Sequence, residues 1–339
     1  MRAIWITRHG GPEVLEVREA PDPTAKEGEV RVRVKMAGLN FAELSARQGL
    51  YPDAPKPPCV VGYEVSGVVD QVGAGVADLA EGDRVMAFTR FGGHADVVVV
   101  PAAQVWRMPD AMSFEHGAAL PVNYLTAHHM LFRAAQLRPR STVLVHMAAG
   151  GVGLATLQLC RTVPGVTVFG TASASKHDAL RAAGCDHPID YHSERYEEVV
   201  RERTGGKGVD LVLDALGGHD WKTGYGLLRP GGTLVAFGLA NSSNGAKRSW
   251  LHVLRELIGV PIFTPLGLMN DNRGVAGVNM GHLWSELDML RATMVELVAL
   301  YDTGAVRPTI DSTFPFDRAA DAHTRLHDRK NVGKVLLVP

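Results

Sequence analysis

The residues best suited to chemistry lie between Ser141 and Cys160, which read STVLVHM, then AAGGVG, then LATLQLC. Four of the first seven are apolar and two of these are Val, the pattern of a short buried parallel strand. Gly150, Gly151 and Gly153 follow, and Leu154 and Leu157 then begin a helical period. A strand, a tight glycine turn and a helix N-terminus bring free backbone N–H groups and the positive end of the helix dipole to one point, so the stretch predicts an anion site. Its spacing maps onto the dinucleotide fingerprint G-x-G-x-x-G as Ala148-Ala149-Gly150-Gly151-Val152-Gly153, with Ala for the first glycine. Gly150 would let a pyrophosphate approach the backbone, and Gly153 would let the helix sit close on its strand. Glycine-rich turns also serve as plain connectors; the position between strand and helix favours the binding reading.

A second chemical position follows at the end of the next strand. Enzymes that use NAD place Asp or Glu there to hold the ribose 2′-hydroxyl. Here the run is Thr171-Ala-Ser-Ala-Ser-Lys176, which has no acid. Ser173 and Ser175 offer hydroxyl donors and Lys176 a positive charge, the chemistry a 2′-phosphate needs. Tyr191, at the end of the third strand, could close over the same phosphate. The plainer alternative makes Ser175 a helix cap and Lys176 a solvated cation. The missing acid beside a lysine favours NADPH as the cofactor.

The elements that must position these groups alternate. Strand 141–147 is followed by Val166–Thr171, His187–Tyr191, Val209–Asp214, Gly232–Gly238 and, more weakly, Gly274–Met280, with helical stretches such as Ser175–Ala183 and Ser193–Thr204 between them. This order predicts a doubly wound parallel sheet with its ligand at the switch point. Before it the chain is β-rich: Val30-Arg-Val-Arg-Val-Lys alternates strictly, and 62–69, 82–88 and 94–100 add short strands between Gly and Asp turns. That predicts a small barrel-like domain ending near Leu120. After the sheet, Leu287, Leu290, Met294, Leu297, Val298 and Tyr301 fall on one helical face, with Ser285 and Asp288 resembling a capping box. The tail Asn331–Pro339 reads as a last strand returning to the first domain.

Composition sets the outer bounds. The 339 residues suffice for two domains. Thirty-five basic against thirty-six acidic side chains leave no surplus to attract nucleic acid. No apolar run is long enough for a membrane span, and Met1-Arg-Ala-Ile-Trp lacks a signal-peptide layout. Cys59, Cys160 and Cys185 are scattered and odd in number, which points to a reducing, cytoplasmic setting.

Several motifs run in a familiar order: Gly38-Leu-Asn-Phe-Ala-Glu, Arg47-Gln-Gly-Leu-Tyr-Pro, Gly82-Asp-Arg-Val, Ala119-Leu-Pro-Val-Asn-Tyr-Leu-Thr-Ala, Ala148–Gly153 and Gly333-Lys-Val-Leu. On these the chain resembles the zinc-free quinone oxidoreductases of the medium-chain dehydrogenase/reductase superfamily. Val168–His177, His187–His192 and Lys330–Pro339 make it similar, more closely, to the vesicle amine transport (synaptic vesicle membrane) protein homologues. The resemblance implies a mixed α/β fold: a GroES-like β-barrel catalytic domain from residues 1–121 and 283–339, and a Rossmann NADPH-binding domain from residues 122–282. Zinc-dependent relatives place a cysteine where this chain reads Gly38-Leu-Asn40 and a histidine where it reads Tyr63. Neither a catalytic nor a four-thiolate structural zinc site can be assembled from these residues, so no metal is expected. The fourteen histidines, His128 and His129 among them, read as ordinary polar or packing residues.

Without a Lewis acid the chemistry must suit an acceptor that is already electrophilic, a quinone or an α,β-unsaturated carbonyl. The resemblance implies that Asn40 lies beside the nicotinamide, steering a carbonyl or the carboxamide, and that Tyr51 helps protonate product. Quinone reductases often carry another tyrosine where this chain has Ser45. Thr126, Gly238 and Lys334 line the cofactor by the same resemblance, Gly151 and Val152 bind it as part of the glycine turn, and a homodimer paired through the strand near Gly274–Met280 is implied. A rival reading comes from Lys247–Phe263, where a basic pair precedes a helical apolar stripe of Leu251, Leu254, Leu257 and Ile258. Such a helix commonly packs on a sheet, yet it is also compatible with an acidic membrane surface, the setting of a lipid-binding or trafficking protein that keeps the cofactor fold without turnover.

Overall fold

The alternation of Val30, Val32 and Val34 with Arg31 and Arg33 becomes the central strand of the first sheet. The valines are buried, and both arginines turn outward to Asp70. The computed structural model describes residues 1–243 and 250–339; the basic pair Lys247-Arg248 lies outside the described residues. The chain forms two compact units, residues 1–125 with 281–339, and residues 126–243 with 250–280.

The first unit holds β1 (Arg2–Ile6), β2 (Leu15–Glu19), β3 (Glu29–Leu39), β4 (Cys59–Val60), β5 (Glu64–Val72), β6 (Arg84–Phe88), β7 (Val97–Pro101) and β8 (Val105–Arg107). Later in the chain, β15 (Ile310–Pro315) and β16 (Lys334–Val338) belong to the same unit. A seven-stranded sheet runs β15-β16-β3-β5-β6-β8 with β7 also on β3, beside a three-stranded sheet β2-β1-β4. The tail strand therefore lies inside the first sheet, with Val335 opposite Leu39 and Leu337 opposite Ala37. Val32, Leu39, Val65, Val85 and Leu337 meet in its core at 2 % exposure or less. Burying each such side chain contributes about 1.5–3 kcal/mol before entropy is counted.

The second unit is a parallel sheet of β9 (Thr142–Val145), β10 (Thr167–Ala172), β11 (His187–Asp190), β12 (Val209–Asp214), β13 (Leu228–Ala236) and β14 (Gly274–Gly277). Their order is β11-β10-β9-β12-β13-β14, so the winding reverses between β9 and β12. This is the doubly wound Rossmann arrangement, and its switch point lies at the glycine turn after β9. Helices Gly151–Cys160, His177–Ala183, Tyr196–Arg203 and His219–Leu227 alternate with the strands.

Two local expectations change. The long helix spans Leu287–Asp302 and buries Leu290, Met294, Leu297 and Tyr301 as its period predicts, but Glu286 is the N-cap and Ser285 lies outside it. Helix Trp250–Ile258 forms, yet Leu254, Leu257 and Ile258 are 56 %, 56 % and 77 % exposed, so this part of the stripe does not pack on the sheet. Among the described residues no helix is long and apolar enough to cross a membrane.

Candidate active site

The glycine turn is built as its sequence requires. After β9, Met147 takes a left-handed φ of 52°, and the Gly150 N–H donates to Met147 O at 2.9 Å. Gly150 then caps helix Gly151–Cys160 in an extended conformation with no side-chain cap, and the Leu154 N–H donates to Gly150 O at 2.9 Å. The first N–H groups of such a helix have no intrahelical acceptor, and they converge at the turn. A Cβ on Gly153 would lie 2.5 Å from the Ala148 carbonyl oxygen, so only glycine lets the helix start this close to its strand. At Gly150 an added Cβ would meet Met147 O at 3.3 Å.

Next to this turn lie the other cofactor candidates. Ala172 is in register with Asp190, which puts Ser173 and Tyr191 at adjoining strand ends. The Ser173 and Ser175 hydroxyl oxygens are 3.4 Å apart, and Lys176 closes the same short turn, Ala174–Lys176, half-buried. Tyr191 is 42 % exposed and leans on His192 with ring centroids 4.3 Å apart. The carboxylates nearby are committed: Asp178 pairs with Arg181 at 3.0 Å, and Asp190 accepts from the His192 N–H and the Ser193 hydroxyl. A 2′-phosphate would meet hydroxyls and a cation here, so the residues present fit NADPH. Thr126 is buried on helix Pro121–His128, and Gly238 lies so close to Ala215 that a Cβ would reach its carbonyl oxygen at 2.8 Å.

In the first unit, Asn40 and Lys334 come directly together. Asn40 caps helix Phe41–Gln48, with its backbone N–H donating to Glu43 Oε2 at 2.9 Å. Lys334 Nζ donates to Asn40 Oδ1 at 2.6 Å and pairs with Glu64 Oε1. Asn40 Nδ2 donates to Glu64 Oε1 at 3.2 Å and to Glu43 Oε1 at 3.3 Å. An ammonium only donates and a carboxylate only accepts, so these neighbours fix which way the amide points. Both ends of the Asn40 side chain are therefore engaged within the protein. The second Glu64 oxygen accepts the Val122 N–H at 2.7 Å. Glu43, Glu64 and Lys334 are 0 %, 0 % and 2 % exposed.

Burial dominates the electrostatics of this cluster. It pushes the Glu43 carboxyl up to about 8 against the opposing pull of Lys334. It pushes His94, whose Nε2 meets Gly38 O at 3.2 Å and lies 3.9 Å from Glu43 Oε1, down to about 4. The Tyr63 hydroxyl is likewise pushed up, mainly by burial and then by Glu43. At neutral pH the cluster thus holds a protonated Glu43 and an uncharged His94. Glu43 was legible as the fourth residue of the capping pattern Asn40-x-x-Glu43. Glu64 stands within the Gly-Tyr-Glu motif, whereas nothing in the spacing around His94 marks it.

Tyr51 lines a small recess of about 70 Å³ with Asp53, Tyr63, Arg90, Phe91, His282 and Trp284. Its aromatic walls interlock: Tyr51 stands edge-on to Tyr63 with centroids 6.2 Å apart, and Tyr63 is tilted against Phe91 at 5.4 Å. His282 Nε2 and Asp53 Oδ2 are 2.9 Å apart at the rim. Ser45 sits on helix Phe41–Gln48, where its carbonyl accepts the Leu50 N–H at 2.8 Å. Among the described residues no group of His, Cys, Asp or Glu is arranged to hold a metal ion.

Comparison with known proteins agrees with this geometry. Residues 26–110 match the alcohol dehydrogenase GroES-like domain family, and residues 183–337 match the family described as zinc-binding dehydrogenase. The human synaptic vesicle membrane protein VAT-1 homolog is 47 % identical over 341 aligned residues, covering 100 % of this chain and 86 % of that protein. The crystal structure of the human VAT-1 homolog-like protein superposes with a TM-score of 0.87 at 37 % identity, covering 100 % of this chain and 98 % of the other. The Escherichia coli quinone oxidoreductase complexed with NADPH superposes at 0.88 with 30 % identity and full coverage of both chains. With a GroES-like unit, a Rossmann unit and relatives matched from end to end, the chain belongs to the VAT-1 family of the medium-chain dehydrogenase/reductase superfamily, in its quinone oxidoreductase branch.

Proposed function

We propose that this protein is an NADPH-dependent oxidoreductase that reduces a quinone or an α,β-unsaturated carbonyl without zinc. The observation that carries the proposal is the anion cradle of Gly150, Gly151, Val152 and Gly153 at the sheet's switch point, beside an acid-free 2′-phosphate loop of Ser173, Ser175, Lys176 and Tyr191. The complex of the Escherichia coli relative with NADPH supports it. In this reading residues 122–282 form the cofactor domain, with Thr126 and Gly238 lining it, and residues 1–121 and 283–339 form the catalytic domain.

NADPH, when bound, supplies the hydride. The protein's own groups bind and orient. The helix N-terminus at Gly151 and its free N–H groups hold the pyrophosphate, while Lys176 and the two serines hold the 2′-phosphate. Lys334 and Asn40 hold each other in a fixed orientation, and Asn40 acts as a positioning residue through that bond rather than through a free amide. The Tyr51 hydroxyl hydrogen-bonds the acceptor oxygen as it gains charge and can hand it a proton. Aromatic walls around Tyr51 suit a flat conjugated acceptor. A screen of quinones and enones that follows NADPH absorbance tests the activity; no turnover across a broad panel would overturn it.

We also propose a homodimer in which β14 pairs with its copy across a two-fold axis. β14 is hydrogen-bonded to β13 on one side, and Leu254, Leu257, Ile258, Ile262, Leu266 and Met269, each at least 56 % exposed, precede it. Symmetric pairing would cover an open strand edge and apolar surface together. Light scattering that reports only the 36.5 kDa monomer would count against it. The same apolar residues favour one rival, a lipid-binding protein without turnover, and the relatives are named as synaptic vesicle membrane proteins. Tight binding to phosphatidylserine vesicles by a protein with no reductase activity would establish that rival.

A further inference from the structure

His146 directly follows β9, immediately before the glycine turn, and is 1 % exposed. Its Nδ1 lies 3.2 Å from the Thr171 hydroxyl, and its ring stands edge-on to Tyr196 with centroids 4.7 Å apart. Among the described residues its Nε2 has no hydrogen-bond partner, and neither has Asp214 Oδ2, at the end of β12. These two buried atoms are 3.9 Å apart. Leaving a buried donor and acceptor unsatisfied is unfavourable, whereas an approach of roughly 1 Å would join them. With the proton on Nε2, the Thr171 hydroxyl donates to Nδ1 and the imidazole N–H is the complement of the carboxylate.

The partners of this pair make it more than a packing detail. Asp214 Oδ1 accepts from the Leu216 N–H at 2.6 Å and the Gly217 N–H at 3.0 Å, which fixes the turn after β12. The Thr171 carbonyl accepts the Ala148 N–H at 3.0 Å, inside the glycine turn, and Ser173 follows two residues later. His146 therefore joins the strand ends that carry the pyrophosphate turn, the 2′-phosphate loop and the 215–218 turn. The other nearby acid, Asp220, is held by Tyr196 Oη at 2.8 Å and Asn241 Nδ2 at 2.9 Å.

We propose that His146 and Asp214 form a buried positioning dyad that closes when the phosphates of a dinucleotide dock in the Gly150–Gly153 turn, with His146 Nε2–H then donating to Asp214 Oδ2. The proposal rests on the dinucleotide reading of that turn. A ligand that favours the closed pair and a pair that favours the bound state strengthen each other by the same factor.

The test titrates NADPH calorimetrically into the full chain and into Asp214→Asn, His146→Leu and His146→Gln, and records downfield proton spectra with and without NADPH. Saturation should bring out a downfield imidazole N–H resonance in the wild type that Asp214→Asn and His146→Leu lack. Those two variants should bind NADPH roughly tenfold more weakly. His146→Gln, whose amide N–H can reach the carboxylate, should recover most of the affinity, which a purely structural role would not explain. Equal affinity in Asp214→Asn, or the same resonance already present without NADPH, overturns the dyad and leaves the cofactor reading standing. A wild type that takes up no NADPH overturns both. The wild-type spectrum and Asp214→Asn decide the matter even where His146→Leu fails to fold.

Discussion

Lys334 Nζ donates to Asn40 Oδ1 at 2.6 Å, joining residues 294 positions apart in the chain, and the same ammonium pairs with the buried Glu64. Removing it should leave Glu64 uncompensated. Lys334→Met should therefore lose about 3–5 kcal/mol in urea unfolding. Glu43→Gln should stay within about 1 kcal/mol of wild type below about pH 4.5, where folded and unfolded chains both hold the Glu43 proton, and should become the more stable protein as the pH rises to neutral. A tolerated Lys334→Met would contradict the pairing.

The cluster should also shape the dependence of stability on pH. The unfolded chain releases the Glu43 proton near 4.5 and the folded chain near 8, so Glu43's contribution is complete below pH 4.5 and gone once the pH passes about 8. Wild type should lose stability relative to Glu43→Gln by about 1.4 kcal/mol per pH unit across that range. His94 works the other way: its contribution is present above pH 6.5 and lost as the pH falls through about 4. Urea midpoints of the two proteins between pH 4.5 and 8 provide the check, and parallel curves would refute the role of Glu43.

NADPH should bind much more tightly than NADH. Lys176→Ala should cost about 1.5–3 kcal/mol of NADPH affinity and leave NADH almost untouched. Equal calorimetric affinities for the two cofactors in the wild type would remove the basis for this assignment.

Tyr51→Phe should lower turnover with the best acceptor by about 100-fold, with NADPH affinity nearly intact. An unchanged rate would mean that the acceptor oxygen takes its proton from elsewhere.

Activity should survive chelators, because neither thiolate nor imidazole stands at Gly38–Asn40 or Tyr63. Stoichiometric zinc by elemental analysis, with activity lost in EDTA and restored by zinc, would be the opposing result.

The parallel sheet was legible because strands such as Thr142–Val145 and Val209–Asp214 are short, mostly apolar runs between turn signals, and runs of this kind belong to strands covered on both faces. β15, Ile310–Pro315, escaped notice because its half-exposed residues Ile-Asp-Ser-Thr-Phe-Pro show no clean alternation. The glycine turn was readable because its conformation depends on backbone chemistry that a few glycines record locally. The Asn40 cluster was readable only in part. Its capping glutamate obeys a local rule, but the engagement of both ends of the Asn40 amide depends on Lys334 and Glu64, which only the folded sheet brings beside it. The misread cap at Ser285 has a related cause: which residue ends the incoming loop is decided by how the loop arrives, and two polar neighbours can exchange the role.

The pairing of β16 with β3 also sets an order of events during synthesis. The strands of the second unit come from one continuous stretch and can associate as soon as they are made. The first unit cannot finish until Lys334 is translated, so a growing chain carries an unpaired edge at Ala37–Leu39 and two buried acids with no cation between them. A ribosome stalled before β16 would therefore display a completed Rossmann sheet tethered to a half-made partner with an adhesive edge, the species a holdase chaperone would be expected to meet.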